Sequence, residues 1–83
     1  MEMAERIRYT RFVVDVIHKT RDAVLIRQPV PGSKIAWNEE WVPRVTLAWA
    51  SDNAIEAGRL PLLSFDVRIA SWKANAMGFV AAK

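Results

Sequence analysis

The chain has no cysteine, one histidine and three glycines, and each shortage closes off a class of chemistry. Without thiols there is neither a disulfide framework nor a thiolate zinc site, the usual staples of small secreted domains, so a cytoplasmic setting is expected. The glycines make no phosphate-cradling pattern, and the lone His18 with scattered acids gives no metal-ligand spacing. Nor does His18 have the Ser or Cys partner with an orienting acid that nucleophilic catalysis requires; it reads as a strand-end or surface residue. No apolar run approaches the roughly 20 residues that span a bilayer, and residues Met1 to Arg6 carry acids where a signal peptide would be apolar. Neither membrane span, export, cofactor nor enzymatic activity is expected.

What remains is an 83-residue chain, 52% hydrophobic and 25% charged, outside the compositional range of disorder and sized for one domain. Twelve basic against nine acidic residues give a net charge of +3 and a pI of about 9.8. That mild excess leans toward acidic partners, nucleic acid included, but no two cations adjoin, so a basic face has to be assembled by folding.

Arg8 to His18 is rich in β-branched and aromatic residues and predicts a long strand, with Phe12, Val14 and Val16 on one face. Tyr9, Val13 and Ile17, interrupted by Arg11 and Asp15, occupy the other, which suggests a half-exposed side or cross-strand ion pairs. Lys19 to Asp22 is a polar break before a second strand over Ala23 to Arg27, completing a hairpin. Pro29 to Ser33 is a loop, since its prolines lack donors and Gly32 tolerates left-handed backbone. A third strand is expected over Trp37 to Val42. Pro43 then ends it, bulges it or confines it to an edge, before Val45, Leu47 and Trp49 resume a period of two. Ala50 to Gly58 is either one helical turn capped by Ser51, Asp52 or Asn53 and closed by Gly58, or a polar loop. Leu60 to Ile69 alternates again, with Leu63, Phe65, Val67 and Ile69 toward the core. Ser71 as N-cap and Gly78 as a left-handed terminator bound a final short helix, whose Trp72 and Ala76, with Phe79 folding back, are expected to plug an open end of the sheet. The sum is a mainly β domain (α+β): an antiparallel sheet of about five strands curled into a partial barrel, with a short C-terminal helix.

Glu40-Trp41-Val42-Pro43-Arg44, the apolar strand before it, the alternating strand after it and Trp72-Lys73-Ala74 ahead of Met77-Gly78-Phe79 occur in a telling order. Over residues 12 to 80 this order resembles a loose group of small uncharacterised phage and mobile-element proteins, which share a Trp-x-Pro-Lys/Arg motif and a short tryptophan-bearing helix. The chain departs from that pattern at Val45, where a serine is usual, in a longer loop at 29 to 34 and in the 48 to 58 stretch. The resemblance implies an accessory factor that inhibits or modulates a host protein or nucleoprotein machine, an anti-CRISPR-like anti-defence inhibitor in its sharpest form. It transfers no catalytic residue.

Two binding chemistries compete. Small barrels bind nucleic acid with exposed aromatics and arginines; Tyr9 and Arg11 share a face, and Arg27, Arg44 and Arg68 join them if folding allows. Protein recognition suits Trp and Arg at an edge strand equally well. Trp37 and Trp41, four apart, fall on one face with Val42 pointing away. An interior this small has little room for Trp37, Trp41, Trp49 and Trp72 together, which leaves open that one or more is exposed or lies in a homodimer interface. Glu39 and Glu40 point to opposite faces and read as solvated charge or as partners of Arg44 and Lys34, not as an acid/base pair. The candidate binding residues are therefore Trp37, Trp41, Arg44, Tyr9, Arg11 and Arg68.

Overall fold

In a computed structural model that describes residues 7–82, the chain runs β1 (Tyr9–Lys19), β2 (Ala23–Pro29), β3 (Trp37–Pro43), α1 (Trp49–Ala57), β4 (Leu62–Ala70) and α2 (Ser71–Ala74). All pairings are antiparallel and the strand order is β3-β2-β1-β4. The architecture is mainly β as expected, but among the described residues the sheet has four strands, not five, and does not close into a barrel: β3 and β4 are its two edges. No helix of the described residues is long and apolar enough to cross a membrane.

The missing strand is the one expected at Val45 to Trp49. Pro43 has no N–H to extend a ladder, and the backbone folds at once into a 3₁₀ turn over Arg44–Thr46. The Thr46 hydroxyl donates to the Pro43 carbonyl at 2.7 Å, and the Leu47 N–H to that of Arg44 at 3.1 Å. Only Leu47 returns to the sheet, as a single bridge to Ile69 on the free edge of β4. Val45 and Trp49, assigned by alternation to the same strand face as Leu47, are exposed.

One sheet face carries the core. Phe12, Val14 and Val16 of β1, Val24 and Ile26 of β2, Val42 of β3 and Val67 and Ile69 of β4 are buried there, covered by Ile55 of α1, Leu47, Ala74 and Met77. Phe79 does fold back, packing edge-on against Phe12 with ring centroids 6.2 Å apart. Trp72 does not: it is exposed, and Ala74 and Met77 take the buried positions assigned to Trp72 and Ala76. The terminal helix is only four residues long, ends before Gly78 and makes no side-chain cap. Ser71, expected as its N-cap, is its first residue and shares a hydroxyl hydrogen bond with Thr10 instead. Gly78 is not left-handed, whereas Gly32 is, at φ 81°, as its loop predicts.

Two bulges set which side chains reach the core. In β1, Val16 pairs with Ile26 and His18 with Leu25, so the extra residue Ile17 reverses the alternation and sends Lys19 toward α1. In β4, Leu63 and Ser64 together face Asp15. Ser64 adopts φ 51°, and its N–H donates to the Asp15 carboxylate at 3.0 Å. This shift brings Leu62, not Leu63, against the core, and corrects the regular alternation expected of that strand.

Helix α1 is a true helix of nine residues beginning at Trp49, longer than the single turn or loop expected, and Ala48 rather than a polar residue occupies its N-cap. Gly58 follows its last residue with φ −85°, so it closes the helix without left-handed backbone. Ile55 is its one large buried apolar residue. Polar contacts do the rest. The Ser51 hydroxyl accepts from the Arg68 N–H at 2.9 Å, and the Lys19 ammonium donates to the carbonyls of Ile55 and Glu56 at the C-terminal end, where a cation complements the helix dipole.

Candidate functional site

The face opposite the core is left uncovered by the described helices, and it carries Tyr9, Trp37 and Trp41 among six charged residues. Hairpin register places Trp41 opposite Leu25, Glu39 opposite Arg27 and Trp37 opposite Pro29. Arg27 is in turn opposite Asp15, with Nε 3.6 Å from its carboxylate, and its guanidinium stacks over the Trp37 ring at 4.4 Å. The Arg27 Nε is buried without a hydrogen-bond partner, so the ring and the carboxylate hold this cation mainly through its charge. Trp37 also closes a shallow hollow with Val13, Pro29 and Ser64.

Tyr9, Arg11 and Arg68 lie on the same face at its far end, where β1 and β4 run on beyond β2 and β3. Arg11 is directly opposite Arg68, and Arg11 Nε donates to the Asp66 carboxylate at 2.6 Å. Tyr9 is four residues from Val13 along the strand, about 13 Å at the usual rise per residue. The six candidate residues thus fall into two patches of one face plus an outlier.

The outlier is Arg44. Its guanidinium turns away from the tryptophans toward α1, donating to Asp52 at 2.8 Å, to Glu56 at 2.6 Å and to the Thr20 carbonyl at 3.1 Å. The Asp52 and Glu56 hydrogen bonds raise its pKa above the ordinary arginine value, and its own hydrogen bond, aided by the charges of Lys19 and Arg44, lowers that of Glu56. Arg44 clamps α1 to the β1–β2 turn, and its carboxylates are Asp52 and Glu56, not Glu39 or Glu40. Glu40 instead takes Lys73 of α2 at 2.5 Å, while Glu39 makes no ion pair among the described residues. His18 is exposed at the end of β1.

All four tryptophans are at the surface: Trp37 is 45% exposed, Trp41 48%, Trp49 80% and Trp72 70%. The core is built from Val, Ile and Phe instead. Sequence reasoning singled out Trp37 and Trp41 but missed Arg27 as the cation on the ring and Glu39 as the acid between the two indoles. The equal lengths of β2 and β3 held the signal, since pairing Ala23 with Pro43 places these residues opposite one another. Among the described residues, the strands of the uncovered face carry Arg11, Arg27 and Arg68 against Asp15, Glu39 and Asp66, and these formal charges cancel. Comparison with family models, with curated proteins and with solved structures returns no match.

Proposed function

We propose that this is a non-catalytic binding protein that engages another protein through the uncovered face of its sheet. The observation that carries the reading is the exposed pair Trp37 and Trp41 on one face of an edge strand, among charges that cancel. Large rings among balanced charges match protein contacts, where Trp and Arg concentrate binding energy, better than a polyanion, which needs an excess of cations. On the resemblance to small phage and mobile-element proteins, the partner we propose is a component of a host protein or nucleoprotein machine, with anti-CRISPR-like inhibition as the sharpest form.

Copurification from host lysate tests this. A stoichiometric partner retained by the parent protein is expected to be lost from the Trp37→Ala/Trp41→Ala double variant, whose circular dichroism and melting should stay near those of the parent because neither ring is in the core. A partner held equally by the double variant would overturn the reading.

The alternative, a nucleic-acid-binding module, draws on one feature: Tyr9 beside the facing pair Arg11 and Arg68, with Arg68 making no ion pair among the described residues. Labelled single- and double-stranded DNA and RNA titrated at two salt concentrations decide it. Affinity that falls with salt and is lost in Arg68→Glu would replace the protein reading.

A further inference from the structure

The outer edge of β3 is an unfilled strand position with a readable pattern. The N–H of Val30 donates to Ala36 at one end of the β2–β3 ladder and that of Arg44 to Asp22 at the other. Counting inward from both ends in the alternation of an antiparallel pair, Asn38, Glu40 and Val42 exchange their backbone hydrogen bonds with β2. Trp37, Glu39 and Trp41 then turn their N–H and C=O groups outward, and no other described strand pairs with that edge. These are the same residues whose side chains stand on the uncovered face. Backbone donors and side-chain specificity therefore point to one docking line, Trp37–Glu39–Trp41, ended by Pro43, which has no donor to offer.

The occupied side of β3 shows what such a line accepts. Against Trp41, Glu39 and Trp37, β2 presents Leu25, Arg27 and Pro29: apolar, cation, apolar at every second residue. Arg27 is committed to Trp37 and to Asp15, which leaves Glu39 without an ion pair among the described residues. Trp37 and Trp41 are about 13 Å apart along the strand, too far to enclose one small cation together and the right span for an extended segment. We propose that the β3 edge takes an added β-strand from a partner protein, an extended segment with Lys or Arg opposite Glu39 and apolar residues opposite Trp37 and Trp41. This rests on the protein-binding reading above and gives it a partner chemistry. A second copy of the chain fails the same criterion at this edge, because Trp37–Pro43 contains no cation and pairing it with itself sets carboxylates near one another. Phosphate backbones fail it for the same reason.

The test uses the whole protein, labelled for NMR, and two capped synthetic peptides: one with the pattern Leu-Thr-Arg-Thr-Leu and one with Glu replacing Arg. The Arg peptide is expected to bind about fivefold tighter or more, and Glu39→Lys to reverse the order. Because Glu39 is exposed at an edge, that variant should keep the parent's circular dichroism. Bound Arg peptide should slow amide exchange at Trp37, Glu39 and Trp41 and leave Asn38, Glu40 and Val42 unchanged. Equal affinities, no reversal in Glu39→Lys, no binding of either peptide, or new protection away from β3 would each overturn the edge proposal. The face reading is decided separately, by whether the double tryptophan variant keeps its partner.

Discussion

Arg44 and Glu56 show how a conspicuous motif residue becomes structural. The Trp-x-Pro-Arg motif places Arg44 three residues after Trp41, but Pro43 turns the backbone between them and delivers the guanidinium to two carboxylates on α1. The folded pKa of Glu56 lies below its unfolded value, so its contact with Arg44 contributes fully above the ordinary glutamate pKa of about 4.3 and is lost as pH falls through the folded value. Urea unfolding followed by circular dichroism should therefore show stability dropping below about pH 4.3, and Glu56→Gln should make that drop shallower. An unchanged slope in the variant would mean that other carboxylates govern acid unfolding.

Among the elements, β1 and β2 were legible from their β-branched residues and β3 from its paired tryptophans, and a proline or a polar turn punctuates each one. The left-handed Gly32 and the inward Phe12, Val14 and Val16 followed from that, and of the three outcomes Pro43 allowed, β3 both ends there and lies on an edge. Helix α1 was legible only as one helical turn or a loop, and its full nine residues were not, because it lacks an apolar stripe. Only Ile55 among its large residues is buried, and the ties to Arg44, Lys19 and Arg68 come from residues distant in sequence. The core face of β4 was misread at its start because a serine gives no sign that it will take φ 51° and absorb a bulge. An element held by one apolar anchor should also open alone. Ile55→Ala is expected to cost about 2–5 kcal/mol, and hydrogen exchange should show protection falling first in α1 while β1 and β2 stay protected. Uniform loss of protection across the sheet would instead make α1 part of a single cooperative unit.

Across the whole molecule, burial on one face of the sheet and exposure on the other set the division of labour. The inner face is sealed by α1, α2 and the C-terminal segment, which Gln28 fastens through hydrogen bonds with Val80 and Asn38 through one to the Gly78 carbonyl. The outer face receives Trp37 and Trp41, while Trp49 and Trp72 are exposed on the helices. The small interior was expected to have little room for four tryptophans together, and it holds none of them: Val, Ile and Phe, with Leu47, Ala74 and Met77, fill it.

That placement makes the protein's own fluorescence a reporter of the proposed partner's binding instead of folding. With no indole in the core, and with Trp49 and Trp72 80% and 70% exposed, emission from the folded chain should lie close to that of tryptophan in water, with Trp37 and Trp41 only partly shielded. Urea should therefore melt the circular dichroism signal with little change in emission wavelength, and a large red shift on unfolding would contradict the exposure of the rings. A partner settling over Trp37 and Trp41 should produce the blue shift that folding does not.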